Sequence, residues 1–383
     1  MKVQSRPKVR FYNHDLGEPE LNEVRRVLAG PILTTGETVS EFEKKFAFYT
    51  SRNYTLGVTS CTGALHMSLI ALGIGPGDEV ITTPMTFIAS ATAILEAGAR
   101  PVFVDVEPDT GNLNAAAIPA AVTHRTKAIL PVHLYGQMCD MRTLRTIADR
   151  HKLKLIEDCA HCLEGERDGI RPGQLSDTAC YSFYATKSIT SGEGGAVATD
   201  HKTLHEKLRL LRLHGMNKTA ADRHREGYQH WDMPVLGWKY NMDNIQAALL
   251  LPQLERIQDN LKKRQRLAAH YQDRLENTEG VRTFSTRPNV LHARHLFAVR
   301  VENGLRDRVI EGLKQDGIEV MVNYNAVHLL TYFAEHYGYR RGQFPIAEKI
   351  GDETLSLPLY ANMPLEHVDW VVQSIQRILE ETK

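Results

Sequence analysis

One lysine stands between two strand-like runs in Cys180-Tyr-Ser-Phe-Tyr-Ala-Thr-Lys187-Ser-Ile-Thr-Ser-Gly-Glu-Gly-Gly195. The stretch opens apolar and aromatic and then turns to hydroxyls and glycines. Ala196-Val197-Ala198 reads as a second short strand. A lysine between buried strands is costly unless it is neutralised or used. Desolvation makes it shed its proton more easily and turns it into a nucleophilic amine. Taken alone, such a lysine is more often a surface residue in a turn.

Two other strand ends change that weighting. The strand-like run Leu153–Glu157 ends in Asp158-Cys-Ala-His161, which puts a carboxylate at a strand's carboxyl end. An N-cap or a structural ion pair would explain Asp158 as well. The run Tyr54–Val58 leads into Thr59-Ser-Cys-Thr62-Gly63 and then a helical pattern. Free backbone N–H groups and the positive end of a helix dipole make such a junction an anion pocket. Plain capping by Ser60 or Thr62 is the alternative. Together, an amine, a carboxylate and a phosphate cradle fall at the carboxyl ends of strands predicted to share one sheet. Those are the three anchors that pyridoxal 5'-phosphate requires. Lys187 would form the Schiff base, Asp158 would keep the pyridine nitrogen protonated, and the helix start would hold the phosphate.

The elements that must position these groups alternate regularly. From 54 to about 200, strand-like segments (54–58, 79–82, 101–106, 128–132, 153–157) alternate with helical ones (62–72, 87–97, 115–122, 141–151). This rhythm predicts an α/β fold with a mostly parallel central sheet flanked by helices. Ligands in such sheets sit outside the carboxyl ends of the strands. Before it, residues 18–29 and 39–49 read as helices. After it, 216–237 reads as a long polar loop and 241–275 as one or two long helices. Residues 292–383 read as strand, helix, strand and a final helix, a smaller α+β domain. The expected division is 1–245 and 246–383.

Composition excludes several classes. Lys+Arg and Asp+Glu are both 46, so nothing favours nucleic acid or an anionic membrane as partner. No apolar run is long enough to span a bilayer and no signal sequence opens the chain, so a cytoplasmic location is expected. Five scattered cysteines suggest free thiols rather than a disulfide framework. Cys159-Ala-His-Cys162 has metal spacing, but no second cysteine pair completes a site, so no metal is expected.

The chain resembles the DegT/DnrJ/EryC1/StrS sugar aminotransferases, pyridoxal-phosphate enzymes of the type I, aspartate-aminotransferase fold. The resemblance covers nearly the whole length. It is carried by Ile32-Leu-Thr-Thr-Gly36, Thr59-Ser-Cys-Thr-Gly-Ala-Leu65, Gly75-Pro-Gly-Asp-Glu-Val80, Pro131-Val-His-Leu-Tyr-Gly136, Glu157-Asp-Cys-Ala-His161, Ser182 to Gly195, and Lys239-Tyr-Asn-Met-Asp-Asn-Ile-Gln-Ala-Ala248. It implies that Lys187 is the Schiff-base lysine and that Asp158 pairs with the pyridinium nitrogen. His161 would lie beside the phenolic oxygen. Thr62, Gly63 and Ser182 would hold the phosphate, and Phe87 would stack on the ring. Asn241 would reach the phosphate from the second subunit of a homodimer. Thr34, Thr35, Lys239, Tyr240, His328 and the 216–237 loop would wall the substrate site. His328 lies in an apolar run and reads equally well as a structural residue. Cys61 stands where Gly or Ala is usual and Gly63 where Ala or Ser is usual. Both are small-for-small changes.

The implied reaction moves an amino group from L-glutamate or L-glutamine to a nucleotide-linked keto-sugar, with a UDP-4-keto sugar for lipopolysaccharide or related glycans favoured. A cyclitol ketone or another keto-sugar carbon is the alternative within the family. A sugar 3-dehydratase is disfavoured because those relatives carry His where Lys187 stands. A non-catalytic cofactor-binding regulator is disfavoured by the intact Lys187, Asp158 and His161.

Overall fold

The computed structural model describes residues 8–218 and 230–382. Two helices, α1 (Glu18–Leu28) and α2 (Glu37–Thr50), precede the sheet. The strands then follow as β1 (Tyr54–Val58), β2 (Glu79–Thr82), β3 (Arg100–Phe103), β4 (Thr126–Leu130), β5 (Lys154–Asp158), β6 (Glu166–Arg167), β7 (Thr178–Ser182) and β8 (Gly195–Thr199). All but β6 form one seven-stranded sheet in the order β1-β8-β7-β5-β4-β2-β3. The pairs β2–β3, β2–β4, β4–β5 and β5–β7 are parallel, while β8 runs antiparallel to both β7 and β1. β5, β7 and β8 are buried along almost their whole length. Strands covered on both faces need apolar side chains throughout, and β8, Gly-Ala-Val-Ala-Thr, supplies small ones.

The central helix is α3 (Cys61–Ala71), which follows β1 directly. It is buried nearly all round, so it lacks a polar face. Its start is fixed by Ser60, whose hydroxyl accepts from the Gly63 N–H at 3.0 Å.

The expected elements are present, with shifted edges. The helix expected at 87–97 starts at Ala89 instead, leaving Phe87 in the turn before it. The helix expected at 115–122 is a 3₁₀ turn, Ala115–Ala117, followed by one α turn, Ile118–Ala121. The 241–275 stretch is two helices, Asn244–Glu255 and Ile257–Leu275, meeting at Arg256. Arg256 spans back to Asp15 at 3.1 Å and Glu20 at 2.5 Å, which fastens this break to the N-terminal segment.

The C-terminal part adds β9 (Val281–Thr283), β10 (Val290–Leu291), β11 (Phe297–Val301) and β12 (Thr354–Leu357). β12, β11 and β9 form a second sheet, antiparallel throughout, and β10 pairs with β6. Its core gathers Leu267, Tyr271, Val299, Leu313, Leu355 and Ile375, together with Val9 from the other end of the chain. Val9 bridges Ile318, and Asp15 accepts hydrogen bonds from Asn260 and Asn362. Residues 9–15 are thereby stitched to the C-terminal part. No described helix is long and apolar enough to cross a membrane.

Candidate active site

The carboxyl ends of β5 and β7 and the start of α3 open into one cavity of about 530 Å³. It is lined by Ser60, Cys61, Thr62, Phe87, Asp158, His161, Ser182 and Lys187, and by Phe11, His295 and Tyr324 from outside the sheet. The three strand ends singled out in the sequence therefore meet in space.

Lys187 lies in the loop between β7 and β8. Burial pushes its pKa down to about 8, against the opposing charges of Asp158 and Cys61. Its Nζ lies 3.4 Å from Nε2 of His295. Its backbone carbonyl accepts from the Tyr12 hydroxyl at 3.2 Å, so the N-terminal segment grips the lysine from behind while Phe11 faces the cavity.

Asp158 is 5% exposed. Its Oδ2 accepts from the Ser90 hydroxyl at 2.8 Å, and its Oδ1 from the Ala160 N–H at 3.1 Å and the Cys61 thiol at 3.8 Å. Thr86 and Ser90 hydroxyls are 2.8 Å apart behind it. Among the described residues no cation forms an ion pair with this carboxylate. A buried acid with only neutral partners fits a cationic ligand group.

His161 is held by its neighbours. The Tyr135 N–H donates to its Nδ1 at 3.3 Å, so the ring proton belongs on Nε2, which faces the Tyr324 hydroxyl at 3.0 Å. Burial and the nearby Lys187 charge push its pKa well below the ordinary histidine value, so it is neutral.

At the start of α3, the Cys61 and Thr62 N–H groups have no acceptor among the described residues, as the first turn of a helix leaves them. Gly195 lets this turn approach: a Cβ there would lie 2.4 Å from the Ser60 carbonyl carbon and 2.6 Å from the Cys61 nitrogen. Gly63 lies just behind the turn, and a Cβ there would stand 3.2 Å from the Tyr240 ring. The anion end, the buried acid and the amine share one cavity and fit pyridoxal phosphate.

The remaining candidates lie elsewhere. Thr35, Lys239 and Asn241 form their own cluster: Asn241 donates to the Thr35 hydroxyl at 2.7 Å and accepts from Lys239 at 2.5 Å. None of the three lines the cavity, nor do Gly63, Tyr240 or the exposed Thr34. The Tyr240 hydroxyl meets Nδ1 of His66 at 3.3 Å. The expected substrate role of His328 is not supported by its placement. It is fully buried, pairs with Glu348 at 3.0 Å, and packs on Phe344, away from the cavity. Of the 216–237 loop, residues 219–229 lie outside the described residues.

Among the residues that line or support this cavity, His295, Tyr324, Phe11 and Ser90 went unread in the sequence. The first two come from the C-terminal part, where no strand-end pattern flagged them. Ser90 was hidden by placing its helix start two residues early.

Comparison with known proteins agrees with this geometry. The chain is 41% identical over 355 residues to GDP-perosamine synthase of Caulobacter vibrioides, covering 91% of this chain and 92% of the other. It is 39% identical over 371 residues to the spore coat polysaccharide biosynthesis protein SpsC of Bacillus subtilis, covering 95% of each. Its structure matches that of Spr1654 from Streptococcus pneumoniae in its PLP form with a TM-score of 0.92 at 28% identity, covering 98% of this chain and 100% of the other. The profile of the DegT/DnrJ/EryC1/StrS aminotransferase family matches residues 14–376. The chain belongs to that family, whose cofactor is pyridoxal 5'-phosphate.

Proposed function

We propose that this protein is a sugar aminotransferase that moves an amino group from L-glutamate or L-glutamine to a nucleotide-linked keto-sugar, with a UDP-4-keto sugar as the favoured acceptor. The observation that carries the reading is the single cavity holding both the desolvated Lys187 amine and a buried Asp158 that has no ion pair among the described residues. Two relatives named for perosamine synthesis and for coat polysaccharide support a sugar acceptor.

Bound pyridoxal phosphate supplies an electron sink through which an amino group can change carriers. Lys187 would hold the cofactor covalently, and its free Nζ would carry a proton as general base and acid. An amine lowered to about 8 gives up and regains that proton readily near neutral pH. Asp158 holds a positive charge at the buried end of the cavity, with Ser90 and Ala160 fixing its carboxylate. Thr62, Ser182 and the free N–H groups of α3 take the phosphate. Phe87, 54% exposed and lining the cavity, would stack on the cofactor ring. His161 keeps its Nε2 proton for hydrogen bonding because the Tyr135 N–H occupies Nδ1.

Asn241, with Lys239 and Thr35, points the reading towards a homodimer. The cluster lies off the cavity of its own chain and would serve that of a second copy, which supports the expected contribution of Asn241 across an interface.

Reconstitution tests the assignment. Purified protein incubated with pyridoxal phosphate should gain absorption from cofactor bound to Lys187, lose it on adding L-glutamate, and regain it with the right keto-sugar. A panel of UDP-, GDP- and dTDP-linked keto-sugars with keto-inositols separates the favoured acceptor from a cyclitol. Protein that stays colourless, or bleaches with glutamate but is reoxidised by no sugar, would sink the proposal.

A further inference from the structure

The C-terminal part sends one side chain to the reacting nitrogen. We infer that His295 is a further catalytic residue, a neutral acceptor that fixes one N–H of Lys187 and so aims the amine's lone pair into the cavity. The inference rests on the function proposed above.

The geometry is direct. Nε2 of His295 lies 3.4 Å from Lys187 Nζ, and no other side-chain acceptor among the described residues bonds that nitrogen. A neutral amine has two N–H bonds and one lone pair. Pinning one N–H restricts the directions the lone pair can take, and the lone pair is what attacks carbon or takes a proton. An imidazolium could not serve, because both its nitrogens donate. The titratable groups facing His295 are Lys187, His161 and Arg264, and burial, with these groups adding to it, drives its pKa well below the ordinary value. Arg264 is itself paired with Glu164 at 2.5 Å.

The ring's backbone is held on several sides. The Ala293 N–H donates to the Gly136 carbonyl at 2.8 Å and the Leu296 N–H to the Tyr135 carbonyl at 3.3 Å. Arg264 donates to the Ala293 carbonyl at 3.3 Å. Gly136, at φ 109°, lets the two loops touch: a Cβ there would lie 2.9 Å from the Arg294 nitrogen and 3.1 Å from that of His295. Tyr135 also anchors His161 through its own N–H. One loop therefore sets both histidines, whose rings lie 4.5 Å apart. Behind the Lys187–His295 contact, a small cleft bounded by Tyr12, Asp15, Asn260 and Arg264 gives no competing side chain within reach of Nζ.

The test uses apoprotein and holoenzyme. Lys187 in apoprotein is labelled competitively with acetic anhydride across pH and followed by mass spectrometry. His295→Phe removes the acceptor, so the ammonium loses a partner and the Lys187 pKa falls; below that pKa, labelling should quicken about tenfold. In holoenzyme, the half-reaction with glutamate should slow about tenfold or more in kcat with little change in KM. His295→Gln, whose amide oxygen can accept, should restore most of the labelling profile and the rate. If His295→Phe does not fold, His295→Ala replaces it, with the same Gln rescue required. A folded variant lacking the acceptor that labels and turns over like the parent overturns the inference, as does failure of Gln to rescue. Parent protein that takes up no cofactor overturns the functional proposal instead, because apoprotein labelling reads the Lys187–His295 contact without it.

Discussion

Lys187 costs the apoprotein stability at neutral pH. Its folded pKa is about 8 against an ordinary 10.5, so the unfolded chain binds the proton more tightly. The penalty is fully present below pH 8 and is relieved as pH rises from 8 towards 10.5. Lys187→Met should therefore stabilise apoprotein at pH 7 by about 3 kcal/mol, read from urea midpoints, and flatten the rise in stability above pH 8. A destabilised or unchanged Met variant would contradict the desolvated amine. Lys187→Ala should remove turnover altogether while leaving non-covalent uptake of the cofactor, seen by equilibrium dialysis. Lys187 and Asp158 were legible because Asp158 closes a buried strand and Lys187 lies in the loop that joins two of them, where a charge has to be explained. His295 was not, because His292-Ala-Arg-His295 sits before a strand and resembles any polar turn. For His328 the sequence left two readings open, because an apolar run around a histidine fits a substrate wall and a buried His–Glu pair equally well; the structure shows the pair.

At the scale of elements, the end of β5 is fixed by a buried pair on the residue before Asp158. His133 meets Glu157 at 2.7 Å, and both side chains are fully buried. The Cys139 N–H donates to His133 Nδ1 at 3.2 Å, so the ring proton sits on Nε2 and is donated to the Glu157 carboxylate. Glu157→Gln keeps the shape but replaces this charge-assisted acceptor by a neutral one, so it should cost about 1–3 kcal/mol in urea unfolding at pH 7. Gly195→Ala tests the other side of the cavity. The added methyl group meets Ser60 and Cys61 backbone, so the first turn of α3 must shift and cofactor affinity should fall about tenfold or more in fluorescence titration. The alternation of strands and helices was readable because each period is local. The break at Arg256 was not, since the partners that hold its side chain, Asp15 and Glu20, lie more than two hundred residues away in the chain.

For the whole molecule, the off-cavity cluster of Thr35, Lys239 and Asn241 makes a mixing experiment decisive. On the homodimer proposed above, Asn241→Asp and Lys187→Ala damage different halves of a shared site. Subunit exchange between the two inactive proteins should recover roughly a quarter of the parent activity, since half the dimers become mixed and each carries one intact site. No recovery, with mixed dimers shown by native mass spectrometry, would mean each chain serves itself. The opening residues, meanwhile, are anchored far downstream: Val9 lies against Ile318, Asp15 is held by Asn362, and Tyr12 reaches the lysine loop. On the ribosome, those first residues emerge long before the segments that capture them. Contacts of such sequence separation form late. The back wall of the lysine loop therefore closes only after the segments that capture residues 9–15 have been translated. Vitamin B6 uptake should accordingly be a near-final event in biogenesis, absent from nascent chains stalled before residue 318.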